Sequence, residues 1–304
     1  MQVSIIIITY NTCQMTSKCI ESIFSKTHDV EFEVILVDNA SSDGSKDFFE
    51  KDSRIKYIYS NENQGFGRGN NLGYKYATGN YIFLLNSDTI LLNNAVKEFY
   101  DFMQNAPQKI GCVGCVMQKN DGSRIHSYHT IYPCLSWIFK EILCYIIPRI
   151  YNPYKKRDLN QQKNVYPLQV AVVTGADLFI RREVLEKCGL FDSDFFMYYE
   201  ETELQYRFLK HGFQSYIINT PKIIHLAGES SKNQKHILQK MQMPLKSRFI
   251  YASKIFSPIQ LIIFRFMHLL MIPRILISLT SWENKKKILK ILFAKYRVKR
   301  SFPD

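Results

Sequence analysis

The chain opens on a β-branched apolar run, Val3 to Thr9, and similar runs recur at Glu33 to Val37, Ile55 to Tyr59 and Tyr81 to Leu85. The last has no polar alternation, the pattern of a central strand buried on both faces of a mostly parallel sheet. Between the first two runs Cys19, Ile20, Ile23 and Phe24 repeat at helical spacing, on a helix capped near Asn11 or Thr12. Strand, helix, strand, turn, helix is a βαβ rhythm, which predicts parallel pairing through right-handed crossovers. The rhythm continues with a helix from about Asn93 to Gln104, a strand Gly111 to Met117 and a turn at Asn120-Asp121-Gly122. After a gap it resumes with a strand Val170 to Thr174, the tripeptide Gly175-Ala176-Asp177, a helix Arg182 to Cys188 and a short strand Ser215 to Ile218.

Two regions depart from this pattern. Between about 132 and 165, Leu135, Ile138, Phe139, Ile142, Leu143 and Ile146 repeat at helical spacing, bounded by Pro133 and Pro148 and followed by Lys155-Lys156-Arg157. This is an inserted amphipathic helix, compatible with plain core packing or with an interfacial or lid segment. From about 221 to 304 the chain turns basic and helical. Ile259 to Ile272 is apolar, but Arg265 and His268 interrupt it and Pro273-Arg274 ends it, short of the ~18 uninterrupted apolar residues of a spanning helix. Leu289, Ile291, Leu292 and Phe293 alternate with lysines at 285–290 and basic residues at 295–300, a basic amphipathic helix. The predicted organisation is a catalytic domain over 1–220, with a helical insertion at 132–165, and a basic helical region over 221–304.

Charge sharpens this picture. Net charge is +13, and nine of those charges fall between Lys254 and Asp304. Such a tail suits an anionic membrane surface, or equally a helical appendage with a solvated basic face. No recognised nucleic-acid motif accompanies it, so nucleic acid is not expected as a partner. The seven cysteines are odd in number and scattered, and no signal-peptide pattern precedes the first strand, so a cytoplasmic protein is expected. Cys112 and Cys115 form a lone CxxC inside an apolar strand and read as buried thiols.

Candidate chemistry sits at predicted strand ends. Asp38 and Asp88 each follow a strand directly, and in open α/β sheets ligands bind at that edge. A carboxylate there can hold a divalent cation against phosphates. Asn86-Ser87-Asp88 also reads as the cap of the helix near Asn93, and alone the cap is the simpler reading. Gly65, Gly67, Gly69 and Gly73 open a helix beside Arg68, offering N–H groups to a phosphate or simply a flexible start; a dinucleotide fingerprint begun at Gly65 would need glycine at Asn70. Glu200, Glu201 and Glu203 begin a helix after the run Phe195 to Tyr199. They serve the helix dipole, or supply a desolvated carboxylate tuned as a general base, with Arg207 able to pair along the same face.

Taken in order, SIIIITYN, VILVDNASSDGS, NQGFGRGNNLG, YIFLLNSDT, TGAD, FFMYYEETEL and IIHLAGES resemble the inverting glycosyltransferases of family 2, in particular the bacterial rhamnosyltransferase-like and galactofuranosyltransferase-like branch. The resemblance covers about residues 1 to 230. It implies a GT-A fold: α/β, a mostly parallel central sheet with helices on both faces, a Rossmann-like nucleotide-binding half, and here C-terminal amphipathic helices. It implies a UDP- or dTDP-sugar donor, a divalent metal (Mn²⁺ or Mg²⁺) and transfer with inversion to a glycan or lipid-linked saccharide acceptor. Carried over by position, Thr9, Tyr10, Asn11 and Asp38 match base-binding residues. Asn71 matches a donor-loop position, with Arg68 beside the glycines as a further donor-binding candidate, Asn86, Ser87 and Asp88 match the metal motif, and His225 matches a second metal ligand. Glu200-Glu201 match the acidic pair containing the base, with Glu201 the first choice, and Asp177 is expected to face the acceptor. Two positions depart from the family: Asn86 stands where an aspartate is usual, and the usual Glu-Asp pair is Glu-Glu. The implied role is synthesis of a lipid-linked surface polysaccharide at the inner face of the cell membrane. The rival is a GT-A-like module that binds nucleotide or glycan, or scaffolds a membrane complex, without turnover.

Overall fold

A computed structural model describes residues 1–146, 165–226, 237–270, 272, 282–294 and 296. The basic segment 155–157 and the tail residues 295 and 297–304 lie outside the described residues, as do the prolines at 148 and 273. Two compact units are formed, one by the described residues of 1–131, 159–196 and 200–233, the other by those of 132–158, 197–199 and 234–304.

In chain order the first unit contains β1 (Val3–Thr9), α1 (Cys13–Lys26), β2 (Phe32–Asp38), α2 (Ser45–Phe49), β3 (Ile55–Tyr59), α3 (Phe66–Tyr74), β4 (Tyr81–Asn86), β5 (Thr89–Leu91), α4 (Ala95–Asn105), β6 (Ile110–Cys115) and β7 (Tyr128–His129). After the inserted helix α5 (Leu135–Ile146), it resumes with β8 (Leu168–Val170), β9 (Val172–Val173), β10 (Asp177–Arg181), α6 (Arg182–Cys188), α7 (Glu200–Lys210), β11 (Gln214–Ile218) and β12 (Ile223–His225). The main sheet has eight strands in the order β3-β2-β1-β4-β10-β6-β11-β8. β1, β2, β3 and β4 run parallel, as does β11 with β6.

The unbroken apolar runs follow from burial on both faces. Val3, Ile5 and Ile7 pack with Leu85, Phe83, Phe99 and Met103 on one side, while Ile6, Ile35, Ile82 and Leu84 pack with Val184, Leu204 and Phe208 on the other. Each such side chain contributes about 1.5–3 kcal/mol on leaving water. α3 lies directly on β1 and β2, because a Cβ at Gly73 would sit 2.6 Å from the Ile6 side chain.

Three features differ from the reading of the sequence. Asp177–Arg181 is a strand, antiparallel between β4 and β6, where the sequence suggested a turn running into α6. Arg181 hid it: a charged residue inside a buried strand is tolerated because its guanidinium donates to the carbonyls of Met103, Ala106 and Ile110 and to the Tyr81 hydroxyl, completing the carbonyl end of α4. The predicted strand Val170–Thr174 is split in two, β8 joining β11 and β9 joining β7. The Asn-Ser-Asp turn does not cap α4. It leads into β5, which pairs antiparallel with β12, and α4 starts afterwards at Ala95.

The second unit is helical: α5, then α8 (Ile237–Ile255), α9 (Pro258–Leu269) and α10 (Trp282–Phe293). Arg248 of α8 pairs with Glu141 of α5 at 2.7 Å and lies over the rings of Trp137 and Tyr199. Phe249, Phe264 and the fully buried His268 form its centre. The His268 ring is held neutral, its pKa pushed down by burial to about 4. No helix among the described residues is long and apolar enough to cross a membrane.

Candidate active site

Parallel register brings the predicted residues to one edge. Thr9 pairs with Asp38, and Ile8 with Asn86, so the carboxyl ends of β1, β2 and β4 are level. β10 begins at that edge, with Asp177 opposite Leu85. The Cys115 amide at the end of β6 donates to Asp177 Oδ2 at 2.6 Å.

On the β1–β2 side, Asp38 is fully buried and accepts from the Ser41 amide (2.7 Å) and the Tyr57 hydroxyl (2.8 Å). Burial, and then the carboxylate beside it, raise the Tyr57 pKa, so the phenol stays protonated as donor. Asn11 adopts φ 55°, an αL position that Asn tolerates, and its Oδ1 accepts the Ser42 amide at 2.7 Å. The two loops are thus tied together, leaving Tyr10 exposed on top. Thr9 points inward to the hydroxyls of Thr12 and Thr16 at 3.0 and 2.9 Å. Thr12 in turn reaches Ser87 Oγ at 3.4 Å.

The glycine-rich loop is held by the chain itself. Gly65 has φ 84°, and a Cβ there would lie 2.1 Å from the Phe196 carbonyl oxygen, which accepts the Phe66 amide at the start of α3. Asn71 uses both ends of its amide on the backbone of Phe191, at 2.7 and 3.0 Å. Arg68 donates twice to the Ser193 carbonyl. All three residues fix the segment between α6 and α7, close to the acidic helix start in sequence.

Asp88 and His225 meet although 137 positions separate them. His225 ends β12 opposite Thr89, and its Nε2 lies 3.1 Å from Asp88 Oδ1. The backbone locks the pair, Leu226 N–H donating to the Asp88 carbonyl and His225 N–H to that of Gln118. The spacing of the two donor atoms is about that of adjacent ligands around a six-coordinate divalent cation. The carboxylate oxygen suits Mn²⁺ or Mg²⁺, and the imidazole nitrogen suits a transition-metal ion, so the pair fits Mn²⁺ better than Mg²⁺, with phosphate completing the shell. Among the described residues no cluster of three or more His, Cys, Asp or Glu side chains forms a metal cage.

The three glutamates separate. Glu203 is fully buried and takes both Oε atoms against Arg207 Nε at 2.9 Å, while the rest of that guanidinium holds the carbonyls of Cys188, Gly189 and Leu190. This ion pair anchors α7 on the end of α6. Glu200 is buried, whereas Glu201 is half-buried and packs with its Cβ and Cγ close to where a Gly175 side chain would stand. Burial pushes the Glu201 carboxyl above its ordinary value. Gln205, one turn on, exchanges two hydrogen bonds with the Val173 backbone, fixing α7 on β9. Because the Ala176 carbonyl accepts the Asn86 amide, a short chain of contacts joins Glu201 through Gly175-Ala176 to the Asp88 turn. Sequence reasoning gave no role to Tyr57, Ser41 or Gly175, although Ser41 and Gly175 lie inside the segments VILVDNASSDGS and TGAD that it singled out.

Asp177 is fully buried. Its carboxyl is pushed up to about 7 by burial, against the opposing pull of the Cys115 amide and thiol and of His225. The CxxC thiols behave as predicted, both buried and raised by burial away from the reactive thiolate.

A mixed sheet of this order, with the charged residues gathered at its carboxyl edge, is a GT-A fold. Mannosyltransferase PcManGT from Pyrobaculum calidifontis, solved with GDP-Man and Mn²⁺, shares that fold, with a TM-score of 0.58 over 95% of this chain and 79% of its own at 15% identity. A model of glycosyl transferase family 2 matches residues 4–189, and the chain belongs to that family and is a glycosyltransferase. It is 25% identical over 260 residues to the low-salt glycan biosynthesis hexosyltransferase Agl10 of Haloferax volcanii, covering 84% of this chain and 76% of the relative. It is 24% identical over 233 residues to the dTDP-rhamnosyl transferase RfbF of Shigella flexneri, covering 74% and 69%. Two further relatives, from Rickettsia bellii and Streptococcus pneumoniae, match over 106 residues at 36% and 30% identity; that match covers 34% of this chain and only 15% and 35% of theirs.

Proposed function

We propose that this glycosyltransferase moves a hexosyl or deoxyhexosyl group, with inversion, from a UDP- or dTDP-sugar to a hydroxyl of a glycan or lipid-linked saccharide. Glu201 carries the reading: a half-buried carboxylate with a raised pKa at the start of α7, packed against Gly175 in the turn whose next residue, Ala176, accepts the amide of Asn86 at the head of the Asp88 turn. Its carboxylate takes the acceptor hydroxyl proton as that oxygen bonds to the anomeric carbon and the bond to the diphosphate breaks, the electron pair leaving with the phosphate. Glu200 is the alternative base. Tyr10 covers the uracil or thymine ring, Asp38 fixes the floor of that pocket by holding the Ser41 amide and the Tyr57 hydroxyl, and Thr9 and Asn11 shape the cleft beside it. Asn86 and Ser87 line the diphosphate, and Arg68 and Asn71 support the donor loop. Asp88 and His225 would hold a divalent cation, which would supply charge neutralisation at the diphosphate. Asp177 sits under the acceptor side.

The relative named as a dTDP-rhamnosyl transferase supports a dTDP donor and a deoxyhexose. The basic C-terminal region favours attachment to the anionic inner face of the cell membrane, with a lipid-linked surface polysaccharide as product. Titration calorimetry of dTDP and UDP, with and without Mn²⁺, tests the donor site: metal-dependent binding of one nucleotide is expected, and binding of neither by folded protein overturns the assignment of Asp38, Asp88 and His225.

A further inference from the structure

α9 keeps a whole apolar face out of the protein. Ile259, Ile262, Ile263, Phe266, Leu269 and Leu270 are 72%, 68%, 44%, 63%, 37% and 49% exposed. At about 100° per residue they fall within an arc of roughly 120°, while Phe264, Met267 and His268 on the other side are buried in the helical unit. The face begins with a full capping box, Ser257 and Gln260 bonding reciprocally, so the helix is defined from its first turn. α10 buries Ile288 and Leu292 in the same unit and exposes Trp282 and Phe293 at its ends, with Lys286, Lys287 and Lys290 also exposed. The chain just after α10 is tied back to α9 by Arg265, which donates to the Ala294 carbonyl at 3.1 Å.

We propose that this face of α9 lies in the interfacial layer of an anionic bilayer, its six apolar side chains among the acyl chains and the α10 lysines at the headgroups. The inference deepens the membrane part of the function proposed above by assigning insertion to α9 and leaving α10 the electrostatic share. A twelve-residue helix is about 18 Å long, against a hydrocarbon core of about 30 Å, so α9 lies in the surface and does not cross it. Such a helix binds through the apolar area it buries plus attraction between its basic flank and acidic lipid. The charge also decides against a second copy as occupant. A two-fold pairing through α9 would bring together two chains of net charge +13, most of it in the C-terminal region that carries α9, which an anionic leaflet instead neutralises.

The test is flotation of the full chain with vesicles of phosphatidylcholine and phosphatidylglycerol in about equal parts, and with phosphatidylcholine alone. Wild type floats with the mixed vesicles. Ile262→Ser and Phe266→Ser, both at exposed positions, each lower the partition coefficient by about tenfold or more on either lipid, whereas Lys286→Gln lowers it about fivefold, and only on anionic vesicles. Trp282 emission, read in a Trp137→Phe background, moves to the blue on adding vesicles. Unchanged flotation of both α9 variants overturns the proposal. So does a wild-type chain that stays with the soluble fraction, or a dimer in solution that the α9 substitutions dissolve. Nucleotide titration of the same variants stays at the wild-type value, so failure at the membrane is separable from failure of the donor site.

Discussion

Replacing Asp177 by Asn tests how the sheet edge is charged. The carboxyl is fully buried, receives one amide donor from Cys115 and has no hydrogen-bond partner for Oδ1 among the described residues. Burial raises its pKa from 3.8 to about 7. Below pH 4 the folded and unfolded chains both carry the proton and the residue costs nothing. Between about pH 4 and 7 the unfolded chain releases it while the folded chain keeps it, so stability falls as pH rises through that window and stays reduced above it. A shift of about three units corresponds to roughly 4 kcal/mol, a large share of a domain's net stability. Asn has the same shape and cannot ionise. Asp177→Asn therefore melts like wild type near pH 4 and roughly 5–8 °C higher at pH 8, the entropy of unfolding scaled to this chain length. The assay is thermal unfolding by circular dichroism from pH 4 to 8, with chelator present so that no cation bound at His225 alters the neighbouring charge. Parallel pH profiles for the two proteins, or a wild type that gains stability from pH 4 to 7, refute the argument.

Other outcomes follow from the same geometry. Glu201→Gln lowers kcat by about 100-fold to 10,000-fold with nucleotide affinity unchanged, and wild-type kcat/KM falls on the acid side with an apparent pKa above the ordinary glutamate value near about 4.3; an unchanged rate moves the base to Glu200. Arg207→Ala strands Glu203 in the interior and frees three carbonyls, costing about 3–5 kcal/mol in denaturant unfolding, whereas an exposed pair such as Lys97 with Asp101 costs under about 0.5 kcal/mol. Gly65→Ala, which forces a Cβ against the Phe196 carbonyl at positive φ, costs about 2–4 kcal/mol in the same assay. His225→Ala abolishes the Mn²⁺ dependence of nucleotide binding while leaving weak metal-free binding in place.

What the sequence disclosed depended on how local each cause was. The runs at β1, β2 and β4 are legible because burial on both faces writes itself into every position, and the carboxyl-edge placement of Asp38 and Asp88 follows from the runs. β10 was not legible: its two ends are Asp177 and Arg181, and what makes Arg181 tolerable is a ring of carbonyls some 70 residues earlier. β5 was too short to see without β12, its partner more than 130 residues on. The glutamate cluster was visible as a cluster, and Arg207 four residues after Glu203 was a legible partner; what the sequence did not announce is that the carbonyls of 188–190 hold the rest of that guanidinium and so single out Glu203. Asn71 looked like a donor-loop residue, and nothing near it in sequence announces that Phe191 occupies both ends of its amide.

The position of β10 also constrains how the molecule comes into being. It lies between β4 and β6, yet it is made some sixty residues after the second of them. Until residue 181 has left the ribosome, both strands keep a row of unpaired backbone groups, the kind of edge on which nascent chains misassociate. Nor can Asp177 take its place beside Cys115 before then. The half of the sheet that carries Thr9, Asp38 and Asp88 is synthesised early, but the sheet closes only when the later strand enters between β4 and β6. A chain interrupted before that point has β1 to β4 and neither Asp177, Glu201 nor His225.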